Sequence, residues 1–350
     1  MTIHVAIHDN PRPDNFSSRW LAYCEENRIR YSRVSCYDCD IIKKLSNANA
    51  LLWNWVHFIP ADVLLARGLV RAVEEMGLLV FPNSSTCWHY DDKIVQKYLL
   101  EAIDAPIVPT QIFYDPADAL RWIESAQFPK VFKLSKGAAS ANVRLVRSAK
   151  EAKGLLKKAF WQGFAPAATP ARLLSKPTAT LAHVRRKGYA HLLKSAARLP
   201  RLIRDLRRKE LLAGRENGYL YLQEFLPGNK FDTRITVIGN RAFGFTRNVR
   251  ENDFRASGSG SISYDLSRID LRAVAIAFKV ARRLQAQSIA FDFLKDANDE
   301  LKIAEISYCY QDKAVYDCEG HWDEQMNWKN GHLWPQDAIL IDLLKQLQIG

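Results

Sequence analysis

The chain has little that would send it across a membrane. Its opening residues, MTIHVAIHDNPRP, carry neither a basic leader nor a continuous apolar stretch, and no apolar run approaches the roughly 18–20 residues that span a bilayer. Cysteine is sparse, six residues in 350, and with no export signal these are expected to be reduced thiols in a cytoplasm. Cys36 and Cys39 have the C-x-x-C spacing of zinc or redox sites but no second ligand pair, so they read as incidental thiols. No metal spacing joins His321 and His332 either. Acidic residues are scarce in one stretch: from Lys157 to Arg215, fifteen Lys and Arg face only Asp205 and Glu210. That stretch carries +13 of a total of +12 and leaves the remainder near −1, so the basic character is local.

What is present is 48% hydrophobic content over 350 residues, enough for a sizeable core and two or three subdomains. The first 88 residues alternate strand-like and helical stretches: IHVAI, a helix from Ser17 to about Asn27, YSRVS, ALLWNWV, a helix from Pro60 to about Met76, and LLVFP. That order predicts a small α/β domain with a parallel sheet. Ligands bind such sheets beyond the carboxyl ends of the strands, so the loop HDNPRPDN and Trp53-Asn54-Trp55 are candidate substrate contacts, with core packing an equal account of the tryptophans.

Antiparallel patterns dominate the second half. YLYLQEF, Tyr219 to Phe225, alternates like a strand and is broken by the turn residues LPGN. ITVI and AFGFTRNV form a hairpin about Gly239-Asn240-Arg241, where Gly and Asn tolerate positive φ. Arg234, Arg247, Arg250 and Arg255 fall on or just after these strands, a grouping suited to bidentate recognition of phosphate or carboxylate. A second hairpin, IAFDFLKDANDELKIAEIS, carries Asp292 and Glu305. Two such carboxylates side by side are costly unless a cation sits between them, and hard oxygen ligands suit Mg²⁺. Earlier, FPKVFKLSKGAASANVRLV predicts a strand from Lys130 to Leu134 and a loop of small residues, Ser135 to Asn142, whose backbone N–H groups can approach phosphate.

QEFLPGNKFDTR, RNVRENDFRASGSG and FDFLKDANDELKIAEIS, in this order, resemble the ATP-grasp superfamily, most closely the branch of the ribosomal-protein glutamate ligases, over roughly Trp88 to Ser307. The resemblance implies an α/β and α+β chain with an N-terminal pre-ATP-grasp domain (1–88), an ATP-grasp N-terminal lobe with a basic helical insertion (89–222, insertion 157–215) and a C-terminal lobe (223–350). It implies ATP as co-substrate with Mg²⁺, or alternatively Mn²⁺, and a carboxylate joined to an amine through an acyl-phosphate. The acid is a small molecule or a glycan carboxylate. Phosphorylation of the substrate and ATP binding without turnover are the alternatives. By position, Lys93, Lys133, Ser135 and Gly137 hold phosphates, Gln223, Glu224, Phe225 and Leu226 meet adenine, and Asp232 meets ribose. Asp292, Glu305 and Ser307 match the metal ligands, with Ser307 where relatives have asparagine. Arg255, with Arg234 and Arg247, is the catalytic choice, stabilising transferred phosphate. The phosphate loop departs from the family in having Gly137 alone among Ala138, Ala139, Ser140 and Ala141.

The basic stretch, an insertion within that span, is what the resemblance explains least. Leu199, Leu202, Ile203 and Leu206 recur at helical spacing while Arg201, Arg204, Arg207 and Arg208 occupy other faces. A basic amphipathic helix suits an anionic membrane surface, here residues 181–215 at the inner face of the membrane, an anionic substrate, or a solvated face of its own domain. No aromatic stacking motif or base-reading module accompanies the charge, which argues against nucleic acid. From Tyr308 to Pro335 the chain is turn-rich and reads as a long cover loop or packing element, followed by a terminal helix from Gln336 to Gln348.

Overall fold

The computed structural model describes residues 3–9, 16–137, 142–165, 214–249, 253, 255 and 261–349. They form two compact units, Met1–Val108 with Leu226–Gly350, and Pro109–Phe225. Part of the N-terminal loop (10–15), the centre of the phosphate loop (138–141), Arg250 and most of the basic stretch (166–213), including its expected amphipathic helix, lie outside the described residues.

The first unit begins with four parallel strands, β1 (His4–His8), β2 (Arg30–Val34), β3 (Ala50–Leu52) and β4 (Leu79–Phe81), in the order β2-β1-β3-β4. Ala50, Leu51 and Leu52 are all fully buried, the continuous apolar run of a strand covered on both faces. Helix α1 (Phe16–Glu26) buries Phe16, Trp20, Leu21 and Cys24 at helical spacing, and α3 (Pro60–Glu75) opens on a proline that suits a first turn. Between them α2 (Ile41–Lys44) is a single turn the sequence pattern did not suggest. The carboxyl-terminal helix of the chain joins this layer. There Trp20 Nε1 donates to the Gln336 carbonyl at 2.9 Å and Arg19 grips both Asp337 oxygens at 2.7 Å.

The second sheet of this unit runs β13 (Leu301–Ser307), β12 (Ser288–Lys295), β9 (Phe231–Ile238), β10 (Arg241–Asn248), β14 (Gly320–Asp323), β15 (Trp328–Asn330), with β11 (Ile262–Ser263) also on β10. Helix α8 (Leu271–Leu284) lays Ala273, Val274, Ala277, Phe278, Ala281 and Leu284 into the core beneath it. The β9–β10 turn requires glycine: Gly239 has φ +56° and an added Cβ would come within 2.1 Å of Asp342, which Arg241 holds at 2.9 Å. The segment expected as a long cover loop contains instead α9 (Asp312–Tyr316) and the hairpin β14–β15. Strand β14 pairs with the edge of β10, Ala242 opposite Trp322, and buries Trp322 against Trp328 at a ring distance of 4.7 Å. An open strand edge decides that, and no local pattern announces it. The terminal helix, α10 (Pro335–Ile349), closes the chain as expected.

The second unit is an antiparallel sheet, β5 (Thr110–Phe113), β8 (Leu220–Glu224), β6 (Lys130–Phe132) and β7 (Arg144–Val146), with α6 (Pro116–Ser125) and α7 (Ala149–Lys157). Ala119, Ile123, Ala152 and Leu156 bury the facing sides of the two helices with Phe132 and Leu222. Phe164 and Glu216 then exchange both backbone hydrogen bonds at 2.8 and 2.9 Å. The basic stretch is thus an excursion whose two ends meet. Among the described residues no helix is long and apolar enough to cross a membrane.

Candidate active site

In the first unit, strand register gathers five charged side chains on one sheet face. Asp232 and Arg234 are two apart on β9 and so share that face; Arg247 lies opposite Asp232, Asp292 opposite Arg234, and Glu305 opposite Asp292. Arg234 clasps Asp292 through Nε and Nη2 at 2.6 and 2.8 Å. Arg247 reaches Asp292 at 2.8 Å and Asp232 at 2.8 Å. Asp232, Asp292 and Arg247 are each under a tenth exposed. Burial alone would raise the Asp292 carboxyl; the two guanidinium groups overcome it and hold Asp292 well below the usual carboxylate range. Asp232, pushed up by burial and by the neighbouring Asp292 charge, is the weaker acid of the pair. The carboxylate taken from sequence as a ribose contact is therefore occupied by Arg247, and both Arg234 and Arg247 already serve buried acids.

Beside this network, Lys93 opens helix α5 (Lys93–Ala102) and its ammonium lies 3.3 Å from Glu305. Asp92 caps that helix, accepting from the Val95 N–H at 3.1 Å, so its role is structural. A β-bulge follows, the partner stepping from Glu305 opposite Asp292 to Ile303 opposite Phe293. Such a bulge re-aims the side chains next to it. Ser307 is committed locally: its hydroxyl donates to the Cys309 carbonyl at 2.8 Å and accepts from the Cys309 N–H at 3.2 Å. Arg255 holds Asp253, two residues earlier, at 2.9 and 2.6 Å.

For a divalent cation, the hard oxygen donors are two carboxylates on neighbouring strands, Asp292 held by Arg234 and Arg247 and Glu305 held by Lys93, so Mg²⁺ would have to share oxygens that these cations already contact. The Ser307 hydroxyl is engaged with Cys309. Among the described residues no three His, Cys, Asp or Glu side chains cluster as ligands, so the remaining positions would have to come from water or phosphate oxygens, the usual pattern for Mg²⁺.

The second unit carries the other group of expected nucleotide contacts. Lys133 follows β6 directly and is buried. Ser135 donates its backbone N–H to the Tyr219 hydroxyl at 2.7 Å, Tyr219 donates to Glu216, and Glu216 also accepts the Lys136 N–H at 3.2 Å. Tyr219 and Glu216 therefore anchor the start of the phosphate loop, a role the sequence motif did not expose because the partners are some eighty residues away. Gly137 has φ +108°, a conformation open to glycine. On β8, Glu224 is paired with Lys130 and the Gln223 amide donates to Thr110 Oγ1 at 3.1 Å. The Gln223 and Glu224 side chains are thus engaged within the sheet. Trp53 and Trp55, at 1% exposure, are core residues.

No family model and no curated sequence matches the chain. Solved structures do. A D-cycloserine synthetase aligns with 97% of this chain and 99% of its own at 14% identity and TM-score 0.57. A RimK-domain ATP-grasp protein from Sphaerobacter thermophilus aligns over 98% and 99% at 12% identity and TM-score 0.53. A D-alanine–D-alanine ligase from Bacillus anthracis, complexed with ATP, aligns over the whole of both chains at 11% identity and TM-score 0.55. Identities this low speak to the backbone alone. With its parallel amino-terminal sheet, its antiparallel second unit and its charged carboxyl-terminal sheet, the chain has the ATP-grasp fold.

Proposed function

We propose that the protein is an ATP-dependent ligase that activates a carboxylate as an acyl-phosphate and joins it to an amine, releasing ADP and phosphate. The observation that carries this reading is the row Glu305, Asp292, Arg234 on adjacent strands with Lys93 against Glu305. It is an acidic pair for a metal and cations for phosphate, on a fold shared with synthetases and ligases. A free carboxylate is a poor electrophile, so it must be activated before an amine can attack, and an acyl-phosphate is the activation this reading assigns.

In this reading Lys133 and Lys93 bind phosphate oxygens, and Asp292 and Glu305 would hold Mg²⁺, which when bound would supply charge neutralisation for the transferred phosphate. Arg255 stabilises the negative charge that develops as the phosphoryl group moves, and Arg234 and Arg247 keep Asp292 ionised and fixed. Hydroxylamine supplied with ATP, Mg²⁺ and a panel of carboxylic acids should trap a hydroxamate. A stable phosphorylated product would instead identify a kinase, and nucleotide binding with no ADP release across the panel would identify a scaffold.

The charge of the basic stretch supports a further proposal, reversible attachment to an anionic membrane surface by residues 181–215. Each basic residue near such a surface contributes about 1 kcal/mol. The protein should sediment with anionic vesicles, not neutral ones, and leave them as ionic strength rises to about 0.5 M. Neutralising Arg201, Arg204, Arg207 and Arg208 together should abolish sedimentation while ATP affinity stays unchanged; unchanged sedimentation would exclude this attachment.

A further inference from the structure

His57 takes no part in the assignments above, yet it stands next to them. It lies on the segment that leaves the carboxyl end of β3, the edge where parallel sheets bind ligands. That segment is held rigidly: Val56 N–H donates to buried Asp62 at 2.7 Å, and the Tyr308 hydroxyl donates to the Trp55 carbonyl. The His57 imidazole meets Tyr90 through Nδ1, 2.7 Å from the hydroxyl. Tyr90 is fixed in turn, its ring packed on Trp55 and Tyr308 at 4.9 and 4.6 Å and its carbonyl held by Arg67 at 2.6 Å. One ring nitrogen is thus anchored, whereas Nε2 has no hydrogen-bond partner among the described residues and is not a buried orphan. Tyr90 stands three residues before Lys93 and packs on Tyr308, three residues after Glu305, and Lys93 and Glu305 are the pair 3.3 Å apart in the phosphate and metal group.

We propose that His57 is the base that accepts the proton of the incoming amine. This rests on the ligase reading, which requires a nucleophile that arrives as an ammonium ion. In the step, R–NH₃⁺ gives one proton to His57 Nε2, and the freed lone pair forms the C–N bond at the acyl-phosphate carbon. The C–O bond to phosphate breaks with its electron pair leaving on phosphate, and the second amine proton passes to that phosphate or to water. Burial lowers the His57 pKa, so the ring is neutral and ready to accept at neutral pH. Burial keeps the Tyr90 phenol protonated, so its oxygen can accept from Nδ1–H and steady the imidazolium once it forms. Cys309 faces Tyr90 from the segment after β13.

Two nucleophiles separate this role from a structural one. Hydroxylamine is unprotonated at neutral pH and needs no base, whereas an amino-acid ammonium does. The wild type and His57→Gln are compared with ATP, Mg²⁺ and a panel of L- and D-amino acids, with and without hydroxylamine. His57→Gln should form hydroxamate within about three-fold of wild type but lose about 10²-fold in amide formation at pH 7, a loss that shrinks as the pH approaches that of the free amine. Tyr90→Phe, which keeps the ring packing and frees Nδ1, should give a smaller loss of the same kind. Equal losses with both nucleophiles, or a loss that does not depend on pH, would overturn the role of His57. No hydroxamate from the wild type with any acid would instead overturn the ligase reading, and the base with it.

Discussion

Asp292→Ala is expected to destabilise the protein by about 3–5 kcal/mol, the scale for removing one partner of a buried ion pair. The loss follows from what remains. Arg234 and Arg247 would both point at an empty position in a site where Arg247 is nearly inaccessible, and only Asp232 would be left to balance them. Asp292→Asn keeps the shape and one acceptor oxygen, so it should cost less in stability and still weaken Mg²⁺-dependent nucleotide binding. Replacing Arg234 by Met in the Asp292→Ala background removes one of the stranded charges and should restore part of the loss. Chemical denaturation midpoints read the first effect, and titration of nucleotide with and without Mg²⁺ reads the second. If Asp292→Ala unfolded like the wild type, the buried network would contribute nothing to the fold.

Arg255→Ala should do the opposite, costing catalysis and not stability. Arg255 is partly exposed and paired with Asp253 only two residues away, and exposed pairs of this kind are worth about 0–1 kcal/mol. Its removal should therefore leave the denaturation midpoint nearly unchanged and ATP affinity within a few-fold. Turnover, followed as ADP release, should fall by about 10²–10³, the cost of removing one preorganised donor from a developing negative charge. Arg255→Lys should recover little, since a lysine cannot reproduce the planar fork. Full turnover by Arg255→Ala would exclude this residue from the chemistry.

The sequence determined what depends on neighbours along the chain. The alternation of strands and helices before Phe81, the Gly239 turn and the two hairpins are local patterns, and the structure has them, although the third strand stops at Leu52, four residues short of the ALLWNWV run, and β9 begins at Phe231, four residues ahead of ITVI. The pairing of Asp292 with Glu305 was also legible, because a hairpin sets its own register. Tertiary structure decided what those residues touch. That Arg234 and Arg247 close on Asp292 and Asp232 follows from β9 lying between β10 and β12, a strand order no periodicity reports. Ser307 turned to its own backbone, Glu216 and Tyr219 anchored a loop eighty residues distant, and β14 added itself to an open edge. His57 carried no motif, and only the packing of Tyr90 against Trp55 and Tyr308 sets the hydroxyl that anchors it. Each is a contact between residues far apart in the chain, set by which surfaces remain to be covered once the local elements have formed.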